Sequence, residues 1–202
     1  MASTMIHLLL AYKINPTACG LFFLGSFAPD TFDTRRGDIK EAKNKNHFRS
    51  EHDMDVAGMD AALKKFYTEI DKNNPFHMGY FVHLICDMWW YEYLQNHLDW
   101  YENIGNEYRI AGVWIRRNLN WVNDVFHKMK LCADDFQSPI PDPTNEEIIM
   151  YKNNLISPTL RANDNKADGN PSKILTPEFL ETYSNEIAER CNLWVKAMED
   201  VL

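Results

Sequence analysis

The chain has 202 residues, 45% hydrophobic and 13% aromatic, with a formal net charge of −8. That content supports one buried core in a single domain, and an acidic balance with no dense Lys/Arg block excludes a duplex-DNA binder that works by neutralising phosphates. The four cysteines, Cys19, Cys86, Cys132 and Cys191, are widely spaced with no C-x-x-C pair, which excludes a Cys-rich zinc site and points to buried free thiols in a reducing compartment rather than a disulfide framework.

The segments read as helices and loops throughout, with no strand alternation and no internal repeat. Met1 to Leu10 has no basic leader and is interrupted by His7, with Lys13 close behind, so neither a secretory signal nor a membrane span is expected and the chain reads as cytoplasmic. Ser3 or Thr4 caps a first helix to about Tyr12. Cys19 to Phe27 is a second short apolar segment ending at Ala28-Pro29-Asp30, and the charged stretch Thr31 to Arg49 reads as a loop. His52 to Asp71 has helical spacing through Met54, Ala57, Ala61, Leu63, Phe66 and Ile70. Asn73-Asn74-Pro75 stops it and starts a long helix to about His97, apolar nearly all round in its first half and so central to the fold. A helix rich in Trp and Ile runs from about Ile104 to Leu131, followed by loop at Ala133 to Pro143 and a helical turn or two at Thr144 to Tyr151. Ser157 to Pro171 is dense in Asn, Asp, Pro and Gly, and about 157–172 reads as a mobile loop. Thr176-Pro177-Glu178 opens a final amphipathic helix over about 177–202. The expected fold is an all-α, single-domain multi-helix bundle across 1–202.

Gly79-Tyr80-Phe81-Val82-His83-Leu84-Ile85-Cys86-Asp87-Met88-Trp89-Trp90 carries an imidazole and a carboxylate four residues apart in apolar surroundings. On a helix they share one face. A buried Asp87 needs a cationic neighbour, either a metal ion or an ordinary Lys or Arg. Other candidates sit in similar context: His7 within Thr4–Leu9, Asp30 directly after the turn-fixing Pro29, and His47 at the start of His47-Phe48-Arg49. Mixed His and Asp donors suit zinc, with iron, manganese or nickel as alternatives. Trp89, Trp90, Tyr91 and Tyr93 read as core rather than as a stacking platform.

The ordered set Ser3-Thr4-Met5-Ile6-His7-Leu8-Leu9-Leu10-Ala11, Phe23-Leu24-Gly25-Ser26-Phe27-Ala28-Pro29-Asp30, His47-Phe48-Arg49 and Gly79 to Asp87 resembles the zinc-dependent phospholipase C family, especially its short bacterial members of undemonstrated substrate. The resemblance covers about Met1 to Trp90. It implies an all-α fold shared with zinc-dependent single-strand nucleases, and phosphoester hydrolysis more firmly than lipid hydrolysis. It implies that Asp30, His47, His83 and Asp87 ligate one metal, that Asp87 bridges to another held by His7, and that Asp30 touches the activated water.

Two departures reduce the expected metal count to one or two ions rather than three. No processed N-terminal Trp is offered, and Tyr93 stands where the secreted enzymes place a further histidine, with Glu92 and His97 nearby in a different register. Arg49, Arg35 and Arg36 are the candidate phosphate binders, since a guanidinium suits phosphate oxygens. The expected ligand is a small phosphorylated molecule or a phospholipid head group. Two alternatives stand beside the hydrolase: a catalytically weak metal-containing binding module on the same scaffold, and an HD-type phosphohydrolase suggested by His52-Asp53. The sequence does not set the oligomeric state.

Overall fold

The computed structural model describes residues 4–33, 35–48, 55–97, 104–160 and 170–200. Among them the architecture is all-helical, with no strand. The helices are α1 (Thr4–Ile14), α2 (Gly20–Gly25), a 3₁₀ turn (Ala28–Asp30), α3 (Ile39–Asn46), α4 (Val56–Glu69), α5 (Pro75–Gln95), α6 (Ile104–Asn118), α7 (Trp121–Leu131), α8 (Asn145–Leu155) and α9 (Pro177–Glu199).

The central helix forms where the sequence places it. The Asn74 side chain accepts from the Phe76 N–H at 3.0 Å and Pro75 occupies the first turn, which satisfies an orphan donor and presets the backbone. From Phe76 to Trp90 nearly every side chain is buried. A helix apolar on all sides has to be enclosed, and α1, α2, α4 and α9 pack around α5. Trp89 and Trp90 lie inside, with Trp90 Nε1–H bonded to the Tyr108 hydroxyl. The core reading of Trp89 and Trp90 holds, and Tyr91 and Tyr93 are half-buried against the same core.

α2 approaches α5 at backbone contact because both carry glycine there. A Cβ on Gly79 would overlap the Phe22 carbonyl, and one on Gly25 would overlap the Phe76 carbonyl. This notch brings the 3₁₀ turn, and with it Asp30, against the middle of α5.

Several expectations are corrected. The Thr31 to Arg49 loop contains α3, which has only Ala42 and Asn46 buried and so lacks an apolar stripe to announce it. The single helix expected from Ile104 to Leu131 is two, broken between Asn118 and Trp121. The break lets Trp121 stack on Tyr12 at 4.7 Å and lets α7 pack against α2. α8 is longer than the turn or two expected, and a capping box between Thr144 and Glu147 starts it. Cys86 and Cys191 are buried thiols, but Cys19 is exposed and Cys132 half-buried. Residues 161–169 of the expected mobile loop, and His52-Asp53, lie outside the described residues. No helix among the described residues is long and apolar enough to cross a membrane.

Candidate metal centre

Four elements deliver five side chains to one place. α1 supplies His7, the 3₁₀ turn supplies Asp30, the C-cap of α3 supplies His47, and α5 supplies His83 and Asp87 one turn apart. His7, His47, His83 and Asp87 are each at most 2% exposed, while the Asp30 side chain keeps 10%. Asp30 is the donor nearest solvent.

His47 Nε2 lies 3.7 Å from Asp30 Oδ1 and 3.5 Å from Asp87 Oδ2. His7 Nε2 lies 3.4 Å from Asp87 Oδ1 and 3.9 Å from Asp30 Oδ2. The His7 and His83 rings stack with centroids 3.8 Å apart. Two triads of donor atoms, His7–Asp30–His83 and His47–His83–Asp87, fall within 4.8 Å, a spacing at which buried His and Asp groups could hold a metal ion.

The tautomers follow from the outer hydrogen bonds. His83 Nδ1 is 3.0 Å from the Ser26 carbonyl and His47 Nδ1 is 2.7 Å from the Lys43 carbonyl. A carbonyl only accepts, so both Nδ1 atoms carry a proton, and the neutral form of each ring turns a lone pair inward at Nε2. Those two Nε2 atoms are 3.0 Å apart. Lone pairs so placed repel unless a proton or a cation sits between them. Two imidazole nitrogens each about 2.0–2.1 Å from one ion come to roughly this separation when they subtend a near-right angle. Imidazole N–H to carbonyl is also the outer-shell arrangement that orients metal-binding histidines.

His7 gives an independent sign. Both of its ring nitrogens are buried without a hydrogen-bond partner, and each such omission costs about 1–3 kcal/mol. Burial first, and then the neighbouring His83, lower its pKa from 6.5 to about 3, so the ring is neutral and its Nε2 is available. Burial alone would raise the Asp30 carboxyl. The imidazoles of His83 and His47, the Lys43 ammonium and His7 outweigh that and hold it far below the usual carboxylate range. The donor set and its outer hydrogen bonds could hold a divalent ion.

Asp30 opens onto a cleft of about 640 Å³ whose lining includes Lys43, Tyr108, Arg116 and Tyr151. Lys43 was not anticipated from the sequence. Its Nζ bonds Asp30 Oδ1 at 2.9 Å and lies 6.0 Å from the Phe32 ring centroid. The signal for it is positional: it falls one helical turn before His47, and α3 went unrecognised.

The candidate arginines Arg35 and Arg36 are engaged by carboxylates. Arg35 bonds Asp33 and its side chain is 83% exposed. Arg36 is held by Asp38, Asp142 and Glu147, joining the 31–38 segment to the start of α8. Neither is among the described residues that line the cleft, and Arg49 is outside the described residues. Glu92 bonds Arg190 at 2.7 Å, and His97 stacks on Tyr93 at 4.0 Å. Neither Glu92 nor His97 belongs to the two donor triads. No family model, curated protein or solved structure matches the chain.

Proposed function

We propose that the chain is a divalent-metal-dependent phosphoester hydrolase of the phospholipase C type, built on one ion. The observation that carries the metal is the pair of inward-facing Nε2 atoms of His47 and His83, 3.0 Å apart, with both Nδ1 protons committed to carbonyls. The two donor triads share His83, whose Nδ1 is taken by the Ser26 carbonyl, so it has one lone pair to give at Nε2, and that favours a single ion over two. His7, His47, His83, Asp30 and Asp87 would hold it, with zinc the first choice and iron, manganese or nickel compatible with five mixed donors. Such an ion supplies Lewis acidity and a water of lowered pKa.

The chain's own groups do the rest. Asp30, ionised and at the cleft wall, would take a proton from the attacking water and release it to the leaving-group oxygen as the P–O bond breaks. Lys43 offers an ammonium to a phosphoryl oxygen at the same edge. The buried faces of His7, His47 and Asp87 keep bulk water from the opposite side. The binding-module reading rests on the Lys43–Asp30 ion pair, which a ligand would have to rearrange before Asp30 could act.

Turnover of bis-p-nitrophenyl phosphate by metal-loaded protein, abolished in Asp30→Asn, is the expected result. Elemental analysis should find close to one tightly held transition metal per chain, sharply reduced in His83→Ala. Metal-loaded protein inert towards a panel of phosphoesters leaves the binding module. Protein that holds no metal, with unchanged melting after chelation, overturns both.

A further inference from the structure

The cleft beside Asp30 has a second cationic wall. Arg109 and Arg116 on α6 both line it, with Gly112 between them on the same face. Seven residues of helix place the two positions about 10 Å apart along α6. Gly112 adds no side chain to that strip of the lining. Arg116 lines the cleft together with Asp30, Lys43 and Tyr151, whose hydroxyl is 2.7 Å from Thr4 Oγ1.

Arg109 marks the other end. It also lines an adjoining hollow of about 530 Å³ with Asn106, Ile110 and Lys173. Its hydrogen-bond partner is the neutral Asn106 Oδ1, at 3.3 Å. The neighbouring Glu107 is occupied by Ser172 Oγ and by the N–H groups of Lys173 and Ile174. Among the described residues Arg109 has no carboxylate partner. The rest of the lining is mostly apolar, through Met5, Phe32, Leu155 and Leu160, and its further carboxylate, Asp33, is held by Arg35.

We propose that the cleft selects a small ester with two anionic groups on an apolar body, one group at Lys43 and Arg116 beside Asp30 and the second at Arg109. The proposal rests on the cleft being the route to the metal centre, and it adds a specificity residue, Arg109, remote from the reacting atoms.

The test compares two probes that share an apolar chain, hexyl phosphate and 1,6-hexanediol bisphosphate, by calorimetry on zinc-loaded protein. Wild type should bind the bisphosphate roughly 10- to 100-fold more tightly, the scale of one charge-assisted contact. Arg109→Gln should collapse that ratio to near one with hexyl phosphate binding unchanged, and Arg109→Lys should restore much of it. Arg109 is exposed, so these variants are expected to melt like wild type. Equal affinity for the two probes in wild type, no binding of either, or a ratio that survives Arg109→Gln overturns the proposal. A ratio that behaves as expected in a protein without turnover on bis-p-nitrophenyl phosphate leaves the specificity wall standing and removes the hydrolase reading alone.

Discussion

Replacing Gly79 by alanine should weaken the metal centre without touching any donor. In an ordinary helix interior this change stabilises by about 1 kcal/mol, because alanine is the better helix former. Here the added methyl would overlap the Phe22 carbonyl oxygen and come within 2.9 Å of its carbon and 3.0 Å of the Ser26 nitrogen, where carbon contacts want about 3.5 Å. α2 must back away from α5. Overpacking of this kind costs about 1–3 kcal/mol, which for a chain of this size lowers the melting temperature by roughly 2–4 °C per kcal/mol. The Ser26 carbonyl moves with α2, and its 3.0 Å bond to His83 Nδ1 is stretched or lost. Losing an outer-shell partner typically lowers metal affinity about 10- to 100-fold. Thermal melting with and without zinc, together with zinc titration against a competing chromophoric chelator, measures both effects. A Gly79→Ala protein that melts at or above wild type and holds zinc as tightly would refute the coupling between helix packing and the centre.

Three further outcomes are expected. His7 has its pKa lowered from 6.5 to about 3, so the unfolded chain takes the proton first. Stability of the metal-free protein is then full above about pH 6.5 and falls as pH drops towards 3, by about 5 kcal/mol at most. Asp30, depressed below 3.8, adds a loss below that value in the same direction. Melting temperature followed from pH 7 to 4 should decline in wild type and flatten in His7→Leu, and a flat wild-type profile counts against a neutral buried His7. Lys43→Gln removes the countercharge of Asp30, so it should destabilise chelated protein by about 1–3 kcal/mol and metal-loaded protein by less; equal losses by calorimetry would contradict that. Phe48 holds a φ of 54° just after His47 while its ring packs on Phe66 at 5.4 Å. Chemical denaturation should find Phe48→Gly more stable than Phe48→Ala by about 1 kcal/mol, since both lose the ring and only alanine keeps the left-handed strain.

Different parts of the fold were legible for different reasons. Asn74-Pro75 and Thr176-Pro177 announce their helices because caps are local chemistry, and Thr176 Oγ1 does accept from the Phe179 N–H at 3.2 Å. His83 and Asp87 are legible because a polar pair at i and i+4 is conspicuous in an apolar run. Asp30, His47 and His7 are nominated by motif order, and their convergence depends on the Gly25–Gly79 notch, which no local pattern encodes. α3 escaped because helical period is visible only when a face is apolar, and with it went Lys43. The break at Leu119-Asn120 carries no Pro or Gly, so tertiary packing of Trp121 on Tyr12 decides it. The arginines of α6 could not be chosen over Arg35 and Arg36 from sequence. Arg36 is consumed by Asp38, Asp142 and Glu147, two of which lie more than a hundred residues away.

All five donors come from residues 7 to 87, whereas α6 and α8, which line the outer cleft, come from residues 104 to 155. The two stretches meet in the cleft lining, where Met5, Phe32 and Lys43 of the first face Arg109, Arg116 and Tyr151 of the second. Mutations in α6 or α8 can redraw the ligand range while the inner donors stay in place. On the proposed reading, a library confined to positions such as Arg109, Gly112, Met150 and Asn154 would vary the ligand range and leave the five inner His and Asp side chains unaltered.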